Sequence, residues 1–337
     1  MVSIESPNTP FTLLIDWLAF TLPDAAADET MTFVGGDWIK SETGFRGYPQ
    51  CWMTADGSGG MGKLGTGSPR KSREVHVDLS GGIVSRWAPE KVQTGLRWVR
   101  EHNGHVTRLD CALDDRTPLV PISTIKDAVQ AGQAVTRAEK FEIRSSSSLD
   151  RGTASGETLY LGSPLSQTRL RIYDKRLELQ HKKREGWEAY GVRWELELRK
   201  ERADCCARAL ASLAEPDWHE FIVTLLRGYL DFRDTSRDDP TWVRCRAPLL
   251  PWWHELTEGF RKGRLTIEKG HRSIEDVKEW VNRSLAPMLA VVAASPEAGQ
   301  PWLEQTIIAG ADRWRERHVR LVRQRKKPTK TYTLKAP

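Results

Sequence analysis

The sequence predicts an α+β fold: a largely antiparallel sheet with packed helices over residues 1–200, followed by a mainly helical C-terminal region. Three observations carry this. Strand-length segments with period-two alternation come in neighbouring pairs, as in hairpins, rather than one per helix as in parallel units. Helical spacing enters between them irregularly. After Glu201 the alternation stops and helical periodicity takes over.

Phe11–Leu22 (FTLLIDWLAFTL) is aliphatic and aromatic and is stopped by Pro23, so it reads as a buried first strand. Ala25–Thr32 is a polar linker. Phe45–Pro69 is rich in glycine, and its YPQCWMT and GSGGMGKLGTGSP pieces predict a mobile hairpin loop. Glu74–Leu79 alternates and ends at Ser80, Gly81 and Gly82. Val92, Leu96, Trp98 and Val99 give Ala88–Asn103 a helical face, closed by Gly104. His105–Asp114 is a strand by alternation, Ile122–Ala131 a helix and Lys140–Arg144 a short strand. Ser145–Gly156 is a serine- and glycine-rich connector. Thr158–Gly162 and Thr168–Lys175 form a strand pair, a helix runs from Arg176 into Arg184, and Val192–Arg199 is again a strand. Helices follow at 202–213, 217–230, 252–258, 274–293 and 301–325. The chain thus divides into residues 1–200, 201–312, and a basic helix end and tail over 313–337.

Composition narrows the functions open to this chain. Its 337 residues provide ample core without disulfides or a structural metal. No apolar run reaches about 18 residues, the length that spans a bilayer. The N-terminal MVSIESPNTP lacks the basic-then-apolar layout of a signal peptide. A soluble, cytoplasmic protein with no membrane partner is expected. Five cysteines without a C-x-x-C pair argue against a disulfide framework and a zinc ribbon. A net charge of +6 and a pI of about 9.1 favour a polyanionic partner.

Charge placement within the strands is the informative feature. Side chains at i, i+2 and i+4 share one face of a strand. Arg108, Asp110, Ala112 and Asp114 therefore point one way. So do Arg169, Arg171, Tyr173 and Lys175 on the next such strand, and Arg193, Glu195, Glu197 and Arg199 on the third. The opposite faces are mostly apolar. Three solvent faces with incidental salt bridges is the plain alternative. The density of charge favours a site for phosphodiester chemistry. Asp110, Asp114, Glu195 and Glu197 supply the oxygen ligands that Mg²⁺ or Mn²⁺ prefers, and such a cation stabilises charge on a scissile phosphate. Tyr173 is the candidate nucleophile. Arg171 and Lys175, each two residues away, are placed to hold the phosphate or to favour its phenolate.

These segments resemble the replication initiation factor family, the Rep_trans-like rolling-circle initiators of small plasmids and some filamentous phages. The resemblance rests on RLDCALD at 108–114, TLYLGSPLS at 158–166, RIYDKRLE at 171–178 and RWELE at 193–197. HVDLSGG at 76–82 and IDWLAFTL at 15–22 fit its early segments, and EWVNRSLAPMLA from Glu279 is a weaker echo. It implies a Mg²⁺- or Mn²⁺-dependent nickase and joinase that acts at a double-strand origin and links covalently to the 5′ phosphate. It also implies recruitment of a host helicase. The family's tyrosine maps to Tyr173, and its acids to Asp110 and Glu195, then Asp114 and Glu197. His76 is a candidate extra ligand and Tyr160 a packing residue. Arg108 and Arg193 would steer phosphate or balance the acids. The helical region would bind the origin or associate as a homodimer.

Other readings are weaker. Gly57–Lys63 nearly matches a phosphate-binding loop, but Leu64 stands where the metal-binding hydroxyl belongs. As a flexible basic loop it would instead offer Lys63, Arg70 and Lys71 to DNA backbone. His318 and Tyr332 lack the ordered surroundings of a tyrosine recombinase or topoisomerase. A non-catalytic DNA-binding regulator would explain the charge, but it has no need of four acids facing DNA.

Overall fold

A computed structural model describes residues 4–5, 11–55, 60–69, 71–115, 120–147, 149, 154–267, 274–295, 299–315, 318–319, 322 and 332–335. The chain divides into two compact units, Met1–Leu265 with Leu334–Pro337, and Thr266–Thr333.

The first unit is organised by one eleven-stranded antiparallel sheet. In chain order its strands are β1 (Ile4–Glu5), β2 (Phe11–Leu22), β3 (Ile39–Ser41), β4 (Gln50–Ala55), β5 (Met61–Thr66) and β6 (Val75–Ser80), then β7 (His105–Asp115). After the short β8 (Ala134–Thr136) come β9 (Phe141–Ser147), β10 (Ala154–Leu161), β11 (Thr168–Asp174) and β12 (Val192–Arg199). Across the sheet the order is β3-β4-β5-β6-β2-β7-β12-β11-β10-β9, with β1 beside β2. The strands β7, β12 and β11 are therefore adjacent, and their charged faces form one surface. The fold is α+β with a largely antiparallel sheet, as the sequence predicts.

Register explains how the opposite face packs. Leu170 pairs with Leu196 and Leu196 with Cys111, while Ile172 pairs with Trp194 and Trp194 with Leu113. All six are buried, each contributing on the order of 1.5–3 kcal/mol for the large aliphatic side chains. Helices α3 (Pro89–Glu101) and α6 (Glu201–Ser212) cover this face, α6 lying on β7 and β12. Cys206 of α6 meets Cys111, so both adjacent cysteines of α6 are core thiols. All five cysteines are free. Trp194 stacks towards Trp253 at 5.3 Å and Phe232 at 6.3 Å. Those residues come from α9 (Pro251–Leu256) and from β13 (Leu230–Phe232), which pairs with β8. Helices α1 (Ala27–Val34), α4 (Ile122–Gln130), α7 (Asp217–Tyr229) and α8 (Thr241–Arg244) complete this unit. The helices between 201 and 256 thus belong to the same unit as the sheet.

On the charged face lie the short helices α2 (Gly81–Val84) and α5 (Lys175–His181). The α5 helix begins at Lys175, where the Asp174 carboxylate caps the Leu177 N–H at 2.8 Å.

The glycine-rich stretch does form a hairpin, but its arms are strands of the sheet, and Gly57, Ser58 and Gly59 lie outside the described residues. Residues 61–66 form β5 inside the sheet, paired with β4 and β6. A Cβ on Gly65 would meet Tyr48 Cβ at 2.9 Å and its ring at 3.0 Å, so that glycine serves close packing. Lys63 lies in a strand, and no helix follows it as a phosphate-binding loop requires.

The second unit contains α10 (Ile274–Trp280), a π turn over Val281–Leu285, α11 (Ala286–Ala293) and α12 (Gly299–Ala311). Pro287 sits in the first turn of α11, where a missing donor costs nothing. The strands β14 (Arg264–Ile267) and β15 (Tyr332–Lys335) pair with each other. Among the described residues no helix is long and apolar enough to cross a membrane.

Candidate active site

The charged faces of β7, β12 and β11 floor a cavity of about 920 Å³. Register decides which groups meet. Tyr173 lies opposite Arg193, and Arg193 opposite Asp114. Arg171 lies opposite Glu195, Arg169 opposite Glu197, and Glu197 opposite Asp110. A bulge in β2 adds two more residues. Ile15 pairs with Cys111 but Trp17 with Asp110, so Asp16 is the extra residue between them. Asp16 and Trp17 both line the cavity.

Each of the four predicted acids meets an arginine. The Arg193 fork donates to both Asp114 oxygens, at 2.5 and 2.8 Å, and each partner is 1% exposed. Arg193 also donates to Asp16 Oδ1 at 3.1 Å. Arg108 forks onto Asp110, with Nη2 at 2.5 Å from Oδ2 and Nε at 3.1 Å from each oxygen. Arg199 donates to Glu197 at 3.1 Å. Arg171 approaches Glu195 only to 3.5 Å, and the buried Glu195 Oε2 has no hydrogen bond.

Burial sets the proton affinities. It pushes the Asp110 carboxyl up to about 8 against the pull of Arg108. It pushes Glu195 up to about 7, helped by the negative charge of Asp16 and opposed by Arg171. Burial likewise raises Tyr173 well above its ordinary 10, although Arg193 pulls the other way. This differs from the expectation that neighbouring cations would depress the phenol. Arg171 Cζ lies 4.1 Å and Lys175 Nζ 5.6 Å from the ring centroid, and the ring is buried. Lys175 donates to Glu178 at 2.7 Å, and burial followed by Arg193 lowers its own proton affinity. Burial works against the Glu178 charge, yet Lys175 and Lys182 hold that carboxyl down to about 2.

A second cavity of about 460 Å³ opens on the other side of Tyr173, over Arg144, Ser145, Ser146, Gly156 and Thr158. Tyr173, Arg171, Glu178 and Lys182 line both spaces.

A supporting chain runs from β6 to β7. The buried Asp78 accepts from Trp17 Nε1 at 2.5 Å and from Arg46 Nη2 at 2.7 Å. The Arg108 guanidinium lies 3.9 Å over the Trp17 ring, held between that ring and Asp110. Gly81, at the start of α2, comes so close to Asp16 that a Cβ would fall 2.6 Å from Oδ1.

The structure brings Tyr173, Arg171, Lys175, Arg108, Arg193, Glu195 and Glu197 to the lining of one cavity. Asp110 and Asp114 lie in the floor beneath it, closed off by their arginines. It does not bring Lys63 or Lys71 there. Lys63 Nζ sits 5.4 Å over the Phe45 ring, and Lys71 pairs with Glu74 at 2.8 Å on the surface. Arg70 lies outside the described residues. His76 is enclosed elsewhere, with Nδ1 2.9 Å from Thr21 Oγ1 and its ring stacked on Tyr48. Tyr160 lines the cavity, with Arg169 stacked 3.9 Å from its ring centroid. Sequence reasoning missed Asp16, Trp17, Asp78 and Glu178. Asp16 did leave a signal, as the one charge in an otherwise apolar twelve-residue strand.

The acids do not form a four-carboxylate metal shell. Both oxygens of Asp114 and of Asp110 are taken by guanidinium forks. No cluster of three or more His, Cys, Asp or Glu suited to a metal occurs among the described residues. The chemistry that fits is a cation held by one or two carboxylates and completed by substrate phosphate and water, which is how Mg²⁺ is commonly bound. The orphaned Glu195 oxygen and Asp16 meet that description.

Comparison with known proteins adds an independent line. The sequence pattern of the replication initiation factor family matches residues 104–307, more than half of the 337. NicK of Bacillus subtilis (strain 168), whose name describes it as a DNA relaxase, is 25% identical over 305 residues. That alignment covers 87% of this chain and 84% of NicK. The rolling-circle replication initiator protein from Geobacillus stearothermophilus has a similar fold. Its TM-score is 0.58 at 22% identity, covering 72% of this chain and 93% of that one.

Proposed function

The chain belongs to the replication initiation factor family, and from that premise we propose that it nicks and rejoins one strand of origin DNA through Tyr173. The observation that carries the reading is Tyr173 in the cavity floor, with Arg193 opposite, Arg171 over its ring and Glu195 diagonal to it. In the proposed step Tyr173 Oη bonds to phosphorus, the P–O3′ bond breaks, and the protein holds the 5′ phosphate while the 3′ oxygen leaves free to prime synthesis. The Tyr173 proton passes to solvent water in the cavity and the departing O3′ takes a proton from solvent; the two guanidiniums favour the phenolate in between, and Arg171 remains to meet the phosphate. Asp114 and Asp16 hold Arg193 in place. Asp78 and Trp17 do the same for Arg108, which neutralises Asp110 beneath the phosphate. A Mg²⁺ or Mn²⁺ ion at Glu195 and Asp16 would supply Lewis-acid stabilisation of charge on the phosphate.

A regulator that binds DNA without cutting is the second reading. The unpartnered Glu195 oxygen beside Tyr173 in the cavity weighs against it, since binding phosphate gains nothing from a free carboxylate oxygen. The test is incubation with Mg²⁺ and supercoiled plasmid carrying the chain's own origin. Wild type is expected to nick and to leave a protein–5′-DNA adduct, and Tyr173→Phe to do neither. An adduct from Tyr173→Phe, or none from wild type, overturns the assignment. A host helicase and a second copy of the chain are further proposed partners, and the helices after residue 200 are the proposed source of origin contacts.

A further inference from the structure

We propose that Arg169 and Arg199 form a subsite for a non-reacting backbone phosphate of single-stranded DNA, apart from the phosphate that Tyr173 attacks. The inference rests on the nicking reading but concerns only where the strand is held.

Buried donors without acceptors are rare and cost free energy. Here they gather in one place. Nε and Nη2 of Arg169 and Nε of Arg199 are buried and have no hydrogen bond. Both side chains line the cavity that holds Tyr173. Their neighbours within the protein do not satisfy them. The nearest acid to Arg169 is Glu142, 3.8 Å away, beyond hydrogen-bond range and itself 49% exposed. The Tyr160 ring lies against the Arg169 guanidinium at 3.9 Å, which covers the flat face and supplies no acceptor to the edge donors. Arg199 meets Glu197 through Nη2 alone.

Register strengthens the case. Arg199 stands directly opposite Arg108, and Arg169 opposite Glu197, one diagonal from Arg199. Asp110 offsets the charge of Arg108 and Glu197 takes one donor of Arg199, which leaves the Arg199 Nε and the Arg169 donors as the unsatisfied groups of this corner. A phosphate is the anion whose geometry matches forked guanidinium donors. Arg169 precedes Tyr173 by four residues along β11, about 13 Å at the usual strand rise. A single DNA strand spans that distance in a few nucleotides. The subsite therefore serves a different phosphate of the same strand.

The test measures binding of a fluorescent dT12 oligonucleotide by anisotropy over a range of KCl concentrations, without divalent ion. It contains no guanine, so arginine contacts to base edges are minimised. Arg169→Gln and Arg199→Gln are each expected to weaken binding about tenfold. Each should also reduce the slope of log K against log salt by about 0.7, the value for one phosphate contact to a single strand. Lys40→Gln removes the same charge at a remote surface position and should leave the slope unchanged. If Arg169→Gln lowers Tm by more than about 4 °C through loss of the Tyr160 stack, the more exposed Arg199→Gln carries the test alone. Unchanged slopes, an equal loss with Lys40→Gln, or no binding of dT12 by wild type overturns the subsite. Adduct formation on supercoiled origin DNA is read separately. An adduct with arginine-independent slopes defeats the subsite alone, and arginine-dependent slopes without an adduct defeat the nickase alone.

Discussion

Asp114→Asn separates a structural carboxylate from a metal ligand. In the structure both Asp114 oxygens accept from Arg193, and both side chains are 1% exposed. Asparagine keeps the shape but leaves a buried guanidinium facing a neutral amide, with only the 3.1 Å bond to Asp16 as ionic compensation. Removing one partner of such a pair costs about 3–5 kcal/mol. For a unit of this size a destabilisation of 1 kcal/mol lowers Tm by roughly 2–3 °C, so a fall of about 6–15 °C is expected. The assay is thermal unfolding by circular dichroism in EDTA, where no metal contributes. Replacing the pair together, as Asp114→Leu with Arg193→Met, should recover much of the loss and yield a folded protein that does not nick. A Tm within about 2 °C of wild type in EDTA refutes the reasoning. A destabilisation seen only when Mg²⁺ is present would restore Asp114 as a ligand.

Three further outcomes are expected. Glu195→Gln should fold as well as wild type, because its Oε2 has no hydrogen bond to lose, and should abolish any rise in Tm on adding Mg²⁺; a retained Mg²⁺ shift places the metal elsewhere. Gly81→Ala should slow nicking and lower Tm, since its Cβ would fall 2.6 Å from the Asp16 carboxylate and 2.7 Å from the Asp16 backbone oxygen and so shift the bulge, and wild-type rates would show that the placement of Asp16 does not matter. His76 titrates at about 4 instead of 6.5, burial being the main cause. Between those values the unfolded chain takes up a proton that the folded one refuses, so stability falls as pH drops from about 6.5 to 4, by up to about 3 kcal/mol. Urea unfolding across that window should show the loss, and His76→Gln should flatten it; an equally steep variant would assign the loss to other groups.

Alternation alone made much of the site legible. Once Arg108, Tyr173 and Glu195 are placed on strands, parity puts them on charged faces, and the structure adds that β7, β12 and β11 are neighbours. Parity cannot show pairing register, and register is what joins Asp114 to Arg193 and Glu195 to Arg171. Four acids therefore read as four ligands, although two of them have both oxygens taken by arginine forks. The β2 bulge hid Trp17 in a different way. It shifts the phase of the strand, so Asp16 and Trp17 share a face that simple alternation would divide. Glycine misled through composition: Gly62 and Gly65 look like loop residues but lie where neighbouring side chains come too close for a Cβ. The predicted Tyr173 environment failed in energy rather than in position, because its cations lie near a buried ring and the loss of solvent dominates.

The order of the sheet bears on how DNA can enter and leave. Each of β7, β12 and β11 has a hydrogen-bonded strand on both sides, so none can shift without breaking two ladders at once. The floor of the site is thus held by hydrogen-bonded ladders on both sides of every strand. The four-residue α2 and the seven-residue α5 on the same face carry no ladder of their own. On the nicking reading proposed above, such a floor would keep the anchor point of a tyrosine-linked strand still while local fluctuations pass through the short helices beside it.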